Sequence, residues 1–202
     1  MRVFESPGDA RLLAVLISSI ALAACGQQET PETTPNVAET VLPDKVPVTT
    51  QSEEARALYE QGLAFADNLQ LVEANERFAS AVEIDPEFAM AYVRMAQSSQ
   101  SATAFFKAVG KAERNLQLRT EGEQLYIKAL IAGAENDQEM QFEYLVKLMS
   151  MYPRDERTHM QVANYFLSQQ NFADAIKHYS HAAAINPEFA AAFNSLGYAQ
   201  RN

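Results

Sequence analysis

Two segments far apart in this chain are copies of one helical unit. Leu71 to Phe88 reads LVEANERFASAVEIDPEF, and Gln170 to Phe189 reads QNFADAIKHYSHAAAINPEF. The first carries Ala74, Phe78 and Ala81 at helical spacing, and the second carries Ala175, Tyr179 and Ala182. Both then turn at Ile-Asp-Pro or Ile-Asn-Pro and end in Pro-Glu-Phe-Ala. A small-aromatic-small helix that is stopped by a turn and restarted near proline is a repeating unit. A unit of that kind buries its apolar face only against its neighbours.

In register, the copies define units 55–88, 89–121, 122–155 and 156–189, with a further start at 190. In the first unit Leu58, Gly62 and Phe65 form a stripe on helix A, opposite the Ala74-Phe78-Ala81 stripe of helix B. Small residues allow close approach, and the two Phe fill the space between. Asp67-Asn68 turns the chain inside the pair. Asp85 is expected to cap the next helix, with Pro86 in its first turn, where no N–H is needed. Unit four repeats the pattern with His159, Val162, Ala163 and Phe166 on helix A. Unit three is looser, because Gln141 stands where helix B wants Ala, and a wider pair is expected there. Unit two is degenerate, with a Ser-rich turn at 98–102 and Thr120-Glu-Gly-Glu123 as a replacement cap. Thr50 and Glu53 are expected to form the first capping box.

This pattern resembles tetratricopeptide repeats. The resemblance implies an all-α fold, a right-handed α-solenoid of antiparallel helix pairs covering 52–202, with four repeats and one terminal helix. In that family the concave face is lined by helix A. Its positions here are Arg56, Tyr59 and Leu63 from unit one, and Val93 and Gln97 from unit two. Unit three gives Tyr126 and Leu130, and unit four Arg157, Met160, Asn164 and Leu167. Such a lining suits a helix or an extended peptide with apolar anchors. Of the family's carboxylate-holding clamp only Asn164 fits, so that activity is not carried over. The final stretch, 190–202, reads either as an interrupted fifth unit or as a capping helix.

Ahead of the repeats, Leu12 to Ala24 is an apolar run following Arg11. As a helix it rises about 20 Å, too short for a hydrocarbon core of about 30 Å, and a secretory signal fits better. The run ends in Leu22-Ala23-Ala24-Cys25-Gly26, which resembles the lipobox of bacterial lipoproteins. That resemblance implies a signal peptide over 1–24, a lipidated Cys25 and a periplasm-facing protein, with Gly26 favouring the outer membrane. Residues 25–51, with Pro31, Pro35, Pro43 and Pro47, are expected to form a disordered linker.

The net charge of −10 disfavours a nucleic-acid partner, and one Cys excludes an internal disulfide. No catalytic motif is present, and neither an enzyme, a cofactor nor a small-molecule substrate is expected. Asp174, His178 and His181 share a helix face. They read as a weak metal site or as an exposed face where His178 pairs with Asp174. The combined expectation is an envelope lipoprotein that binds an unknown protein. The alternatives are an accessory subunit of envelope enzymes, or the N-terminal part of a longer protein with a catalytic domain beyond Asn202.

Overall fold

The computed structural model describes residues 44–202. The signal peptide, Cys25 and most of the expected linker lie outside the described residues.

Among the described residues nine α-helices follow one another: α1 Glu53–Asp67, α2 Leu71–Ile84, α3 Ala89–Gln97, α4 Ala102–Arg114, α5 Glu121–Ala134, α6 Gln138–Met151, α7 Glu156–Ser168, α8 Phe172–Ile185 and α9 Ala190–Ala199. A single 3-10 turn, Leu116–Leu118, stands between α4 and α5. The described residues contain no strand. Each odd helix packs on its even successor, and each pair on the next, giving an α-solenoid of helix pairs.

The pairs close around small residues as the repeat implies. A Cβ added at Gly62 would stand 2.5 Å from Phe78 Cε1, so α1 and α2 touch across that glycine. In unit three Gly133 opposes Gln141: an added Cβ there would meet the Gln141 amide at 2.5 Å. The larger side chain on α6 is matched by a missing one on α5. Three of the four turns inside pairs place one residue in the left-handed region, Leu69, Asn136 and Gln170, with φ of 63°, 61° and 58°. The second unit avoids this turn. Its α3 is only nine residues long, and Ser101 caps α4 by accepting from the Ala104 amide.

Two capping expectations are corrected. Ser52, not Thr50, caps α1, accepting from Ala55 N at 3.1 Å. Asp85 does not start α3. Its Oδ1 accepts from Glu87 N at 3.0 Å, a tight turn that delays the helix to Ala89. Asn186 does the same with Glu188 N before α9. The delay lets the Phe of Pro-Glu-Phe enter the core. Phe88 is fully buried against Tyr59, with ring centroids 5.0 Å apart. The Thr120–Glu123 capping box forms as expected.

Two further features depart from an open array. Helix α9 touches α1, so the solenoid curls back on its first helix. The last linker residues, 45–50, are not free: they run as an extended strap across the helix A row and bond to all four units.

Candidate ligand-binding groove

The odd helices line up so that their N-terminal ends carry carboxylates to one end of the concave face. Asp85 before α3, Glu123 on α5, and Asp155 and Glu156 at the start of α7 are all buried. Buried carboxylates need donors, and the strap supplies many of them. Lys45 Nζ lies 2.9 and 2.7 Å from the two Glu156 oxygens. Val46 N donates to Asp155 at 2.9 Å, and Thr49 donates to Glu123 through its amide at 2.7 Å and its hydroxyl at 2.6 Å. The Thr50 hydroxyl donates to Asp85. In return Arg56 and Arg119 donate to the carbonyls of Val48 and Thr49, each at 3.2 Å. Val46 and Val48 pack into the main core. Burial alone would raise the Glu156 carboxyl, but the Lys45 hydrogen bond, a backbone N–H and the Arg157 and Lys45 charges hold it below the usual range.

The strap splits the expected concave lining in two. Tyr59, Val93 and Tyr126 are buried, with Tyr59 packed between the Phe78 and Phe88 rings. Arg56 is partly covered by the strap carbonyl it holds. The other end remains open as a cavity of about 280 Å³, which Leu63, Gln97, Leu130, Arg157, Met160 and Asn164 line together with Phe78, Arg94 and Phe189. Leu167 lies apart from that lining and packs in the cluster around Ala163 and Tyr179.

Arg94 stands at the partition between the two ends. Its Nε donates to Tyr59 Oη at 3.3 Å, and its Nη1 to Gln97 Oε1 and Tyr126 Oη, both at 2.8 Å. The guanidinium carbon sits 4.9 Å from the Tyr126 ring centroid. Sequence reading placed Tyr59, Gln97 and Tyr126 on this face but missed Arg94, because it lies one position past the expected lining residue Val93. The signal was available in the sequence: Arg94 is the one charged residue of its helix, AMAYVRMAQ.

On the far wall Arg157 forms a two-pronged pair with Asp67, at 2.6 and 2.9 Å, and lies 5.2 Å from the Phe189 ring centroid. Asn164 Oδ1 accepts from Tyr179 Oη at 2.7 Å, and burial pushes the Tyr179 phenol up to about 12.

The histidines are arranged differently from the expected exposed face. His178 is buried and meets His159, with Nδ1 atoms 3.2 Å apart, rather than Asp174, which bonds Asn171. His159 Nε2 lies 3.0 Å from the Pro153 carbonyl, which can only accept. Neutral His159 therefore carries its proton on Nε2, and His178 Nδ1 donates to it. Burial first, then His159, Lys177 and His181, push His178 down to about 4, with Asp174 opposing. Among the described residues no cluster of His, Cys, Asp and Glu is suited to hold a metal ion.

No protein-family model and no curated protein matches the sequence. Among solved structures the chain is similar to YrrB, described as a TPR protein with an unusual peptide-binding site. That match has 16% identity over 73% of this chain and 76% of that one, with a TM-score of 0.38. It is also similar to MamA (15% identity, 74% and 82% coverage, TM-score 0.41) and to the P58(IPK) TPR domain (18%, 73% and 55%, TM-score 0.36).

Proposed function

We propose that this chain is a non-catalytic adaptor that holds an extended protein segment in the concave groove of its repeats. One observation carries the reading: the groove already holds an extended segment, residues 45–50, largely by its main chain. The amides of Val46 and Thr49 and the carbonyls of Val48 and Thr49 are each met by a side chain of the helix array. Main-chain capture between apolar pockets is how an extended peptide is recognised. The unfilled part of the groove, from Leu63 through Leu130 to Met160, is where a partner segment adds to what the strap occupies.

A photo-crosslinking residue at Asn164 of the full chain tests this. It is expected to trap a defined partner in cells, with loss of the adduct on Met160→Glu. An equal yield from a crosslinker at exposed Val72, on α2, would remove the groove from the account.

The same proposal places the adaptor on a bacterial membrane through lipidated Cys25, facing the periplasm, with the outer membrane favoured. It rests on the Leu-Ala-Ala-Cys-Gly sequence closing an apolar run. Several acyl chains, at about 0.8 kcal/mol per buried CH₂, anchor firmly where one does not. Palmitate labelling that persists in Cys25→Ser sinks this part alone.

A further inference from the structure

The cavity beside Arg94 is built for a charge that no described residue supplies. Arginine stays protonated in proteins. Yet the guanidinium of Arg94 is met only by two phenol oxygens and one amide oxygen, and its Nη2 has no partner among the described residues. None of the ion pairs among the described residues includes Arg94. Arg157, on the same cavity, contrasts with it, being neutralised by Asp67. The net balance of the cavity is thus one positive charge, in a chain whose formal charge is −10. Arg94 is partly buried, and a cation so placed without a counter-ion favours an anion that can pair with it.

Two further donors are idle there. Gln97 Nε2 is buried without a hydrogen-bond partner while its oxygen serves Arg94. The Asn164 carbonyl is taken by Tyr179, and its amide nitrogen, on an exposed residue at the cavity mouth, makes no hydrogen bond among the described residues. Between these polar ends the walls are Leu63, Leu130 and Met160. We infer that the cavity is a binding site for a small organic acid: a single carboxylate on Arg94, an apolar body along Leu63, Leu130 and Met160, and a far acceptor on Asn164. A monoanion matches the single uncompensated charge. A phosphate dianion needs a second free cation, and Arg157 is already committed to Asp67. The volume of about 280 Å³ is at the small end of ligand pockets. A bound acid would contact α1, α3, α5 and α7 together, and so compete with a partner segment for the unfilled part of the groove.

Titration calorimetry on the full chain tests the site. The probes are straight-chain monocarboxylates of about six to ten carbons, the matching primary alcohols, and a short peptide ending in Leu with a free C-terminal carboxylate. The acids are expected to bind saturably, at least about tenfold more tightly than the alcohols, the ratio a charge-assisted hydrogen bond gives. The informative variant is Gln97→Glu, which supplies Arg94 with a carboxylate in cis. It is expected to fold with a raised melting temperature and to lose acid binding by about tenfold or more. Three results would overturn the site: no saturable acid binding, equal binding of acids and alcohols, or acid binding unchanged in Gln97→Glu. Binding of the peptide acid but none of the free acids would overturn it as well, and give the cavity to a peptide end.

Discussion

Arg157 and Asp67 are separated by ninety positions, yet their paired oxygens and nitrogens meet at 2.6 and 2.9 Å. This pair ties the end of α1 to the start of α7. Burial would lower the Arg157 guanidinium, but its bond to Asp67 outweighs that and raises it. Both side chains are largely buried, so removing one leaves the other uncompensated. Asp67→Ala is expected to cost about 3 kcal/mol in urea unfolding, the lower end for a buried pair. The double variant Asp67→Leu/Arg157→Met is expected to recover most of it, because an apolar pair of similar volume carries no desolvation penalty. An additive cycle would show that the two groups are not coupled.

Glu123 is fully buried and accepts from the amides and hydroxyls of both Thr49 and Thr120. Glutamine turns its amide NH₂, a donor, toward one of those donor sets. Glu123→Gln is therefore expected to destabilise the chain by about 3 kcal/mol, the scale of one or two charge-assisted hydrogen bonds. Amide exchange at Val46 and Thr49 is expected to accelerate before that of α7 and α8. Unchanged exchange at Thr49 would mean the strap is held by other contacts.

The glycines and the left-handed turns separate close contact from open space. Gly62→Ala places a methyl against the Phe78 ring and is expected to cost about 1–3 kcal/mol. Gly110→Ala, in α4 with nothing within 4 Å, is expected to gain about 0.5–1 kcal/mol. Leu69→Gly relieves a left-handed leucine and is expected to gain about 1 kcal/mol. Thermal melts of the three variants check the order.

The histidine stack sets an acid response. His178 titrates at about 4 when folded and near 6.5 when unfolded, so the unfolded chain binds more protons between those values. Stability from this group is complete above about pH 6.5 and is lost as pH falls toward 4. Between pH 7 and 4.5 the loss is about 2 kcal/mol. Burial, Asp155, Lys177 and His181 act on the same pair, so the readout is the difference between wild type and His178→Asn. The variant is expected to show a shallower fall in melting temperature over that range. Parallel curves would assign the acid loss to carboxylates such as Glu156.

The pairing of successive helices was legible because small-aromatic-small spacing is local. Gly62, Ala74, Phe78 and Ala81 meet as read, and so do their counterparts in unit four. Residues whose partners are distant in sequence were not legible. Asp85 looks like a helix cap in isolation, but it turns the chain on itself and receives Thr50 and Gln51. Pro43 and Pro47 argue for a loose linker, and nothing local announces that Val46 and Thr49 dock on Asp155 and Glu123. His178 was read against its own helix, where Asp174 is near, although its partner His159 comes from α7. Arg94 was missed for a related reason: helix position marks which residues face the groove, not which charges lack a counterpart.

The strap also changes how the array comes apart. A repeat stack with contacts only between neighbours can fray from either end, one unit at a time, because each unit leaves with its own share of stability. Here residues 45–50 bridge the first helix to units two, three and four, and Asp67 holds Arg157 across the curl. Loss of the fourth unit strips the first of its partners as well. Such a chain is expected to melt in one step rather than unravel, to tolerate repeat deletion poorly, and to fold more slowly than its local helix content suggests. Its slow step is the closing of a long loop, not the forming of any helix.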